Sequence, residues 1–157
     1  MENTFLNNKE VKKIREQFIE TYGYFWQEDY AYLMNENDRL FLINKDVAKV
    51  DFKKLRLDRI GLYVAEVREG QVRLSKEGAQ LLVQEAEKNK ALIKNRLELT
   101  KQEVKAYFYG VDLTKDLGTE SKLVILEHDK NVIGCARYKE GKIINFLPKL
   151  NRGEVIV

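Results

Sequence analysis

Three cations lie among apolar residues near the end of the chain, around the only proline of the sequence. Lys142, Lys149 and Arg152 surround Pro148 in this segment. From residue 129 to the end of the sequence, six lysines and arginines accompany three acids. Cations that neutralise phosphates release counterions, so a local excess of this kind matters more than the net charge. The chemistry that this pattern favours is binding of a phosphate backbone. Outward lysines on the strands of any protein are the plainer explanation, and we prefer it for Lys130 and Lys139, which fall in predicted turns.

Four further residues near these cations can contact a polar polymer. Tyr109 can stack on an unpaired base if it is exposed. Asn145 interrupts an apolar run, where it can bond a base or ribose, although satisfying a neighbouring backbone group explains it equally well. Gly110 and Asp112 form either the edge of a binding groove or a helix C-cap and an Asx-turn.

The elements that must position these residues are short strands and one helix. Residues 132–138 read as a strand, Glu140-Gly141 as a turn, and the following residues as a second strand that ends at Pro148. Thr100 and Glu103 predict a capping box for a short helix that ends at Tyr109. An apolar run at 123–126 predicts a strand buried on both faces, and 154–157 can add a last strand. We expect a small, partly closed β-barrel.

The first part of the chain predicts a different domain. Asn7 and Glu10 cap a helix that stops at Gly23, and its apolar face includes Val11, Ile14, Phe18, Ile19 and Tyr22. Hairpins follow at 30–43 and 60–74, and Ser75 caps a second helix in which Gly78 indicates close backbone packing.

This order of elements indicates an α+β domain with an antiparallel sheet. Residues 45–59 read as a solvated short helix and loop. The aromatic residues around Trp26 read as a core cluster. Residues 89–99 connect the two parts, which gives domains 1–97 and 98–157.

Composition excludes several classes of protein. A net charge of +3 supports nucleic-acid binding only through clustering. One cysteine, Cys135, and one histidine, His128, cannot assemble a zinc site, so no metal is expected. The sequence has no phosphate loop, dinucleotide fingerprint or nucleophilic set, so we expect no cofactor and no enzyme activity.

Without a signal peptide, a membrane span or a possible disulfide, a cytoplasmic location is expected.

Several motifs resemble a known family. Residues 109–113 (YGVDL), 132–136 (VIGCA) and 144–149 (INFLPK) resemble a PUA domain, the RNA-binding module named for pseudouridine synthases and archaeosine transglycosylases. The last motif is similar to one in PUA-like domains appended to RNA cytosine-5 methyltransferases. Residues 60–65 (IGLYVA) and 72–78 (VRLSKEG) resemble the pre-PUA domain of small archaeal proteins, a layout shared with a eukaryotic factor for large-ribosomal-subunit biogenesis.

The resemblance implies an α+β protein in which an N-terminal α/β pre-PUA domain precedes a PUA-like small β-barrel. It also implies a non-enzymatic protein that binds RNA of the rRNA or tRNA class in ribosome biogenesis or RNA modification, together with an assembly factor or a modifying enzyme. Lys142, Lys149 and Arg152 match the family segment and are expected to dock the RNA backbone. Two alternatives stay open: a detached RNA-recognition subunit of a methyltransferase, and a protein-interaction adaptor that does not bind RNA.

Overall fold

A computed structural model describes residues 4–45 and 61–145. The chain divides into two compact units, Met1–Lys94 and Asn95–Val157, hereafter unit 1 and unit 2. The predicted helix and loop at 45–59 lie almost entirely outside the described residues. The predicted last strand at 154–157, the strand end at Pro148, and the predicted contacts Lys149 and Arg152 also lie outside them.

In the described residues, both units combine helices with strands. The helices are α1 (Asn8–Tyr22), α2 (Lys76–Lys88) and α3 (Lys101–Phe108). The strands of unit 1 are β1 (Thr4–Phe5), β2 (Tyr30–Met34), β3 (Arg39–Asn44), β4 (Gly61–Arg68) and β5 (Gln71–Leu74). Those of unit 2 are β6 (Arg96–Glu98), β7 (Leu113–Thr114), β8 (Lys122–His128), β9 (Asn131–Lys139) and β10 (Lys142–Ile144).

Unit 1 is an antiparallel sheet in the order β1-β2-β3-β4-β5, with β4 adjoining α2 and β5 adjoining α1. The predicted helix start is confirmed, because the Asn7 side chain accepts from the Glu10 N–H and the Glu10 carboxylate accepts from the Asn7 N–H. Gly23 ends α1 with φ of 81°, a left-handed conformation that glycine adopts without steric cost. The prediction for Ile19 was wrong: its side chain is 46% exposed and lies off the buried face.

Close packing at Gly78 is also confirmed. A Cβ atom at this position would lie 2.0 Å from the carbonyl oxygen of Val64, so only glycine lets α2 approach β4 this closely. Ser75 caps α2 as predicted, and its side chain accepts from the Gly78 N–H at 2.9 Å. The capping bond and the close approach together fix where α2 begins against the sheet.

An aromatic cluster fills the core of unit 1, as predicted around Trp26. The Phe18 ring makes edge contacts with Phe25 and Trp26 at 5.1 and 5.2 Å between centroids, and Phe25 stacks on Tyr32 at 5.4 Å. Trp26 is 2% exposed. Edge and offset contacts of this kind add to the burial energy of each ring, so the cluster anchors α1 to β2.

The described residues of unit 2 form a curled, five-stranded sheet in the order β6-β8-β9-β10-β7, which fits a PUA-like β domain. Among these strands, β6 pairs with β8 in parallel and the other pairings are antiparallel. The predicted strand at 123–126 is confirmed, since Leu123, Val124, Ile125 and Leu126 are all buried. Strand β7 falls where a loop was predicted, because two residues are too few for a periodic pattern.

The core of unit 2 lies between α3 and one face of this sheet. Its buried members are Leu99, Val104, Tyr107, Leu113, Val124, Leu126, Ala136, Tyr138 and Ile143. Two tight turns set the register of its hairpins. Glu140-Gly141 is confirmed as a turn, with φ of 51° and 79°, and Asp129-Lys130 turns in the same way with φ of 49° and 66°. Positive φ at both central residues gives the twist that antiparallel strands need.

Candidate nucleic-acid interface

The helix α3 places three exposed side chains in one row. Lys101, Lys105 and Tyr109 are four residues apart and exposed, so they follow one another along one side of the helix. Val104 and Tyr107 face the core on the other side, at 3% and 2% exposure. Two cations and an aromatic ring in a row form a surface that fits a phosphate backbone and an unpaired base.

The turn after α3 exposes the aromatic ring. Tyr109 is 59% exposed, and Val111 next to it is 52% exposed. Gly110 has φ of 92°, and its N–H donates to the Tyr107 carbonyl at 2.9 Å, as a helix-terminating glycine does. This geometry turns the chain directly after Tyr109 and leaves its ring at the end of the helix.

Two predicted site residues contact each other. The Asn145 N–H donates to Oδ1 of Asp112 at 2.9 Å, so the Asp112 carboxylate makes a long-range bond that the local Asx-turn interpretation did not foresee. The Asn145 side chain donates to the Tyr107 carbonyl, which is the backbone-satisfying role considered for it. These bonds tie the end of β10 to the turn that carries Tyr109. Contact of Asp112 or Asn145 with RNA stays a prediction.

Lys142 lies on an exposed position of β10, beside a second cation. Its Cα is paired with Lys139 of β9 on one side and with Thr114 of β7 on the other. Lys139 is the last residue of β9 rather than a turn residue, and it is exposed. Lysines paired across neighbouring strands repel each other, so an anion between them is favourable.

A partly buried ion pair supports the start of α3. Lys115 Nζ lies 2.7 Å from a Glu103 oxygen, and both side chains are about a quarter exposed. Glu103 also completes the capping box with Thr100, as predicted. Burial works to raise the pKa of the Glu103 carboxyl, but hydrogen bonds from Lys115 and Thr100 outweigh it and hold the pKa below its usual value.

Sequence reasoning missed Lys101 and Lys105. Their four-residue spacing, continued by Tyr109, is visible in the sequence opposite the apolar positions Val104 and Tyr107. Both lysines lie outside the cation-rich segment that begins at residue 129, so the local excess of charge does not indicate them. The structure therefore brings together Tyr109, Gly110, Asp112 and Asn145 and adds the lysines of α3.

Residues 4–45 and 61–145 give little support for metal binding or for nucleophilic catalysis. No group of three or more histidine, cysteine, aspartate or glutamate side chains there can hold a metal ion. His128 uses Nδ1 to bond the Leu99 carbonyl at 2.8 Å. Cys135 is buried in β9, as predicted. No helix in these two ranges has the length and apolar composition needed to cross a bilayer.

A comparison with known families matches the C-terminal part of the chain. Residues 94–152 match the family described as the methyltransferase RsmF PUA domain. The match spans more than a third of the chain and includes α3, the described strands of unit 2, and the exposed residues Lys101, Lys105, Tyr109 and Lys142. A search of curated proteins gave no match. Unit 2 thus contains a PUA-like domain of the kind found in an RNA methyltransferase family, which suggests RNA binding.

Proposed function

We propose that this chain is a non-enzymatic RNA-binding protein that acts in RNA modification and uses unit 2 to hold its RNA. One observation supports the proposal most strongly: the matched range, residues 94–152, contains the exposed row Lys101, Lys105 and Tyr109. The family match suggests RNA as the ligand, and the side chains of the row are suited to bind it.

The proposed mechanism separates affinity from selection. Lys101, Lys105 and Lys142 neutralise phosphates, which provides affinity without reading sequence. Tyr109 stacks on an unpaired base, which favours single-stranded or looped RNA over duplex. Asp112 and Asn145 hold the turn that carries Tyr109 rather than supplying most of the contact. Lys149 and Arg152, predicted from sequence, extend the same set of cations in this proposal.

The family description favours one of the alternatives over the others. Because the matched family is a methyltransferase's PUA domain, a role as the RNA-recognition part of a methylation system has more support than a role in ribosome biogenesis alone. Co-purification with an RNA methyltransferase would support it. A protein-interaction adaptor would instead not bind RNA.

The test is RNA binding across a salt series with charge-matched variants. The triple variant Lys101→Gln, Lys105→Gln, Lys142→Gln removes the candidate cations, and Lys9→Gln, Lys12→Gln, Lys76→Gln removes as many exposed lysines from unit 1. For a single-stranded oligonucleotide, each lost phosphate contact lowers the slope of log affinity against log salt by roughly 0.7. The unit 2 variant should therefore lose roughly 2 from the slope, and the unit 1 variant should keep the wild-type slope.

Equal slopes for the two triple variants would refute the proposed surface. Absence of RNA binding by the wild-type chain at low salt would refute the proposed function itself.

A further inference from the structure

The sheet of unit 1 carries arginines and aromatic rings on the face opposite its aromatic core. Residues directly opposite on neighbouring strands share a face, and here Arg39 pairs with Glu66, Phe41 with Tyr63, and Glu66 with Arg73. We call this set, together with Arg68, the arginine–tyrosine face. Tyr32 and Leu42, paired with each other, occupy the other face, where Tyr32 stacks on Phe25.

The register of this face depends on an irregularity in the sheet. The pairing of β3 with β4 shifts between Leu40 and Phe41, so one extra residue of β4 is accommodated there. A bulge moves later residues of its strand to the other side of the sheet. As a result Tyr63 and Glu66, three residues apart, lie on one face beside Arg39.

The rings and the guanidinium groups are in contact. The Cζ atom of Arg39 lies 5.2 Å from the centre of the Tyr63 ring, and the Phe41 and Tyr63 ring centres are 5.7 Å apart. Arg39 is exposed, whereas Phe41 and Tyr63 are half-buried. Burial raises the pKa of Tyr63, and the nearby guanidinium groups of Arg39 and Arg73 oppose that shift.

A carboxylate beneath the surface orients two more arginines. The Glu66 side chain is 20% exposed; one of its oxygens lies 3.0 Å from Arg73 Nη2 and the other 3.6 Å from Arg68 Nη1. Arg68 also contacts Asp38 at 3.2 Å. Arg73 also hydrogen-bonds the Tyr63 side chain. Arg68 uses Nε for Asp38 and Nη1 for Glu66, and because a guanidinium has five N–H donors in a fixed plane, Arg68 can also bind a phosphate.

The accessible part of this face is limited to one end. Leu33 and Ile43 share the face but are fully buried, at 0% and 1% exposure. The side chains of Arg68 and Arg73 are 58% and 38% exposed. The open end therefore displays three arginines around the Tyr63 ring, two of which also contact Glu66.

We propose that the arginine–tyrosine face is a second RNA-binding surface, which holds a single-stranded segment by stacking a base on the Arg39–Tyr63 pair while Arg68 binds a phosphate. Bases stack on guanidinium planes as well as on aromatic rings, and arginine binds phosphate through two parallel N–H groups. An acidic peptide would use the charges but not the stacked pair, so RNA fits more of what this face presents. The inference rests on the proposed RNA binding and extends it to unit 1.

The test measures binding of the full chain to a labelled single-stranded RNA of about ten nucleotides. Tyr63→Leu removes the ring but keeps apolar volume, and we expect it to weaken binding roughly 5- to 100-fold. Arg39→Gln removes the guanidinium of the stacked pair, and we expect it to weaken binding. Arg68→Gln removes an exposed phosphate-binding cation, and we expect it to lower the salt slope by roughly 0.7. Thermal melting of each variant checks the fold. Because Arg39 is exposed, Arg39→Gln should fold normally and still tests the proposal if Tyr63→Leu is unstable.

A control variant matches Arg39→Gln. Arg15 lies over the Phe25 ring at 5.5 Å on the aromatic-core side of unit 1, so Arg15→Gln removes the same charge and the same kind of contact away from the proposed surface. Arg15→Gln should bind RNA like the wild type. On an oligonucleotide with abasic sites in place of its bases, Tyr63→Leu should have no effect.

Several outcomes would overturn this inference without touching the proposed function. One is wild-type affinity in Arg39→Gln and Tyr63→Leu while the Lys101, Lys105, Lys142 variant loses binding. Another is an equal loss for Tyr63→Leu on the abasic strand, which would exclude base stacking. Competition by a polyglutamate peptide as effective as that by RNA would make this face an acidic-peptide site. A wild-type chain that binds no RNA would remove both proposals together.

Discussion

The backbone N–H of Asn145 donates to the side chain of Asp112 at 2.9 Å, which joins the end of β10 to the turn after α3. The two residues are far apart in sequence, yet each was singled out as a possible RNA contact. Their bond gives Asp112 an internal partner. A carboxylate is also a poor neighbour for a phosphate, since like charges repel.

Asp112→Asn should therefore keep RNA affinity, because the amide oxygen still accepts the Asn145 N–H and one negative charge is lost. Asp112→Ala removes the acceptor and should lower the free energy of unfolding by about 1 kcal/mol. Urea denaturation and RNA titration of both variants measure these effects. Weaker RNA binding by a fully stable Asp112→Asn variant would mean that the carboxylate itself contacts the RNA.

Tyr109→Ala should weaken binding to single-stranded RNA without changing the melting temperature. The ring is 59% exposed, so its removal costs little packing energy, whereas base stacking is worth roughly 1–3 kcal/mol per base. Tyr109→Phe keeps the stacking surface and serves as the control. Fluorescence anisotropy with single-stranded and duplex RNA would show the effect, and an equal loss on both forms would contradict a stacking role.

Gly78→Ala should destabilise unit 1. The added Cβ would meet the Val64 carbonyl oxygen at 2.0 Å, and overpacking of this kind costs about 1–3 kcal/mol. The gain of about 1 kcal/mol in helix propensity offsets only part of that cost. Gln84→Ala, at an exposed position of the same helix, is the control and should change stability by less than about 0.5 kcal/mol. An unchanged melting temperature for Gly78→Ala would show that α2 can move away from β4.

Glu103→Gln should reduce stability at neutral pH but not in acid. The pKa of Glu103 is held below its ordinary value of 4.5, so its charged form stabilises the folded state above that pH. The stabilisation disappears as the pH falls through the lower, folded-state pKa. Glutamine still completes the capping box, so the variant loses mainly the ion pair with Lys115. Melting temperatures of both proteins between pH 7 and pH 2 should converge in acid, and a constant difference would exclude the ion pair as its cause.

Local sequence signals predicted much of this fold. The Asn7–Glu10 and Thr100–Glu103 capping boxes and the Glu140-Gly141 turn each depend on residues within a few positions of one another. A glycine inside a helical pattern, as at Gly78, indicates that another backbone packs closely against the helix. Such features need no knowledge of the partner strand.

The parts that sequence could not supply depend on pairing between distant segments. Strand β6 is too short to show a period, and its parallel partner β8 begins well after α3. The Arg39–Tyr63 contact follows from the register shift at Leu40 and Phe41, which moves Tyr63 into place. The Asp112–Asn145 bond likewise joins residues that no local pattern relates. In the candidate surface, Tyr109 and Asn145 could be singled out from the sequence, but the partners of Asn145, Asp112 and the Tyr107 carbonyl, could not.

The parallel pairing of β6 with β8 also constrains the order in which unit 2 assembles. Arg96 and Glu127 form a two-bond ion pair at 2.9 and 2.7 Å, but the chain must close a loop through α3 before they meet. Hairpin β8–β9 needs only its Asp129-Lys130 turn. Since closing a long loop costs more entropy than closing a short one, we expect the hairpin to form first and β6 to join it late. Side-chain truncations in β6 should then accelerate unfolding while leaving the refolding rate nearly unchanged. During synthesis, β6 can pair with β8 only after the whole of β8 has left the ribosome.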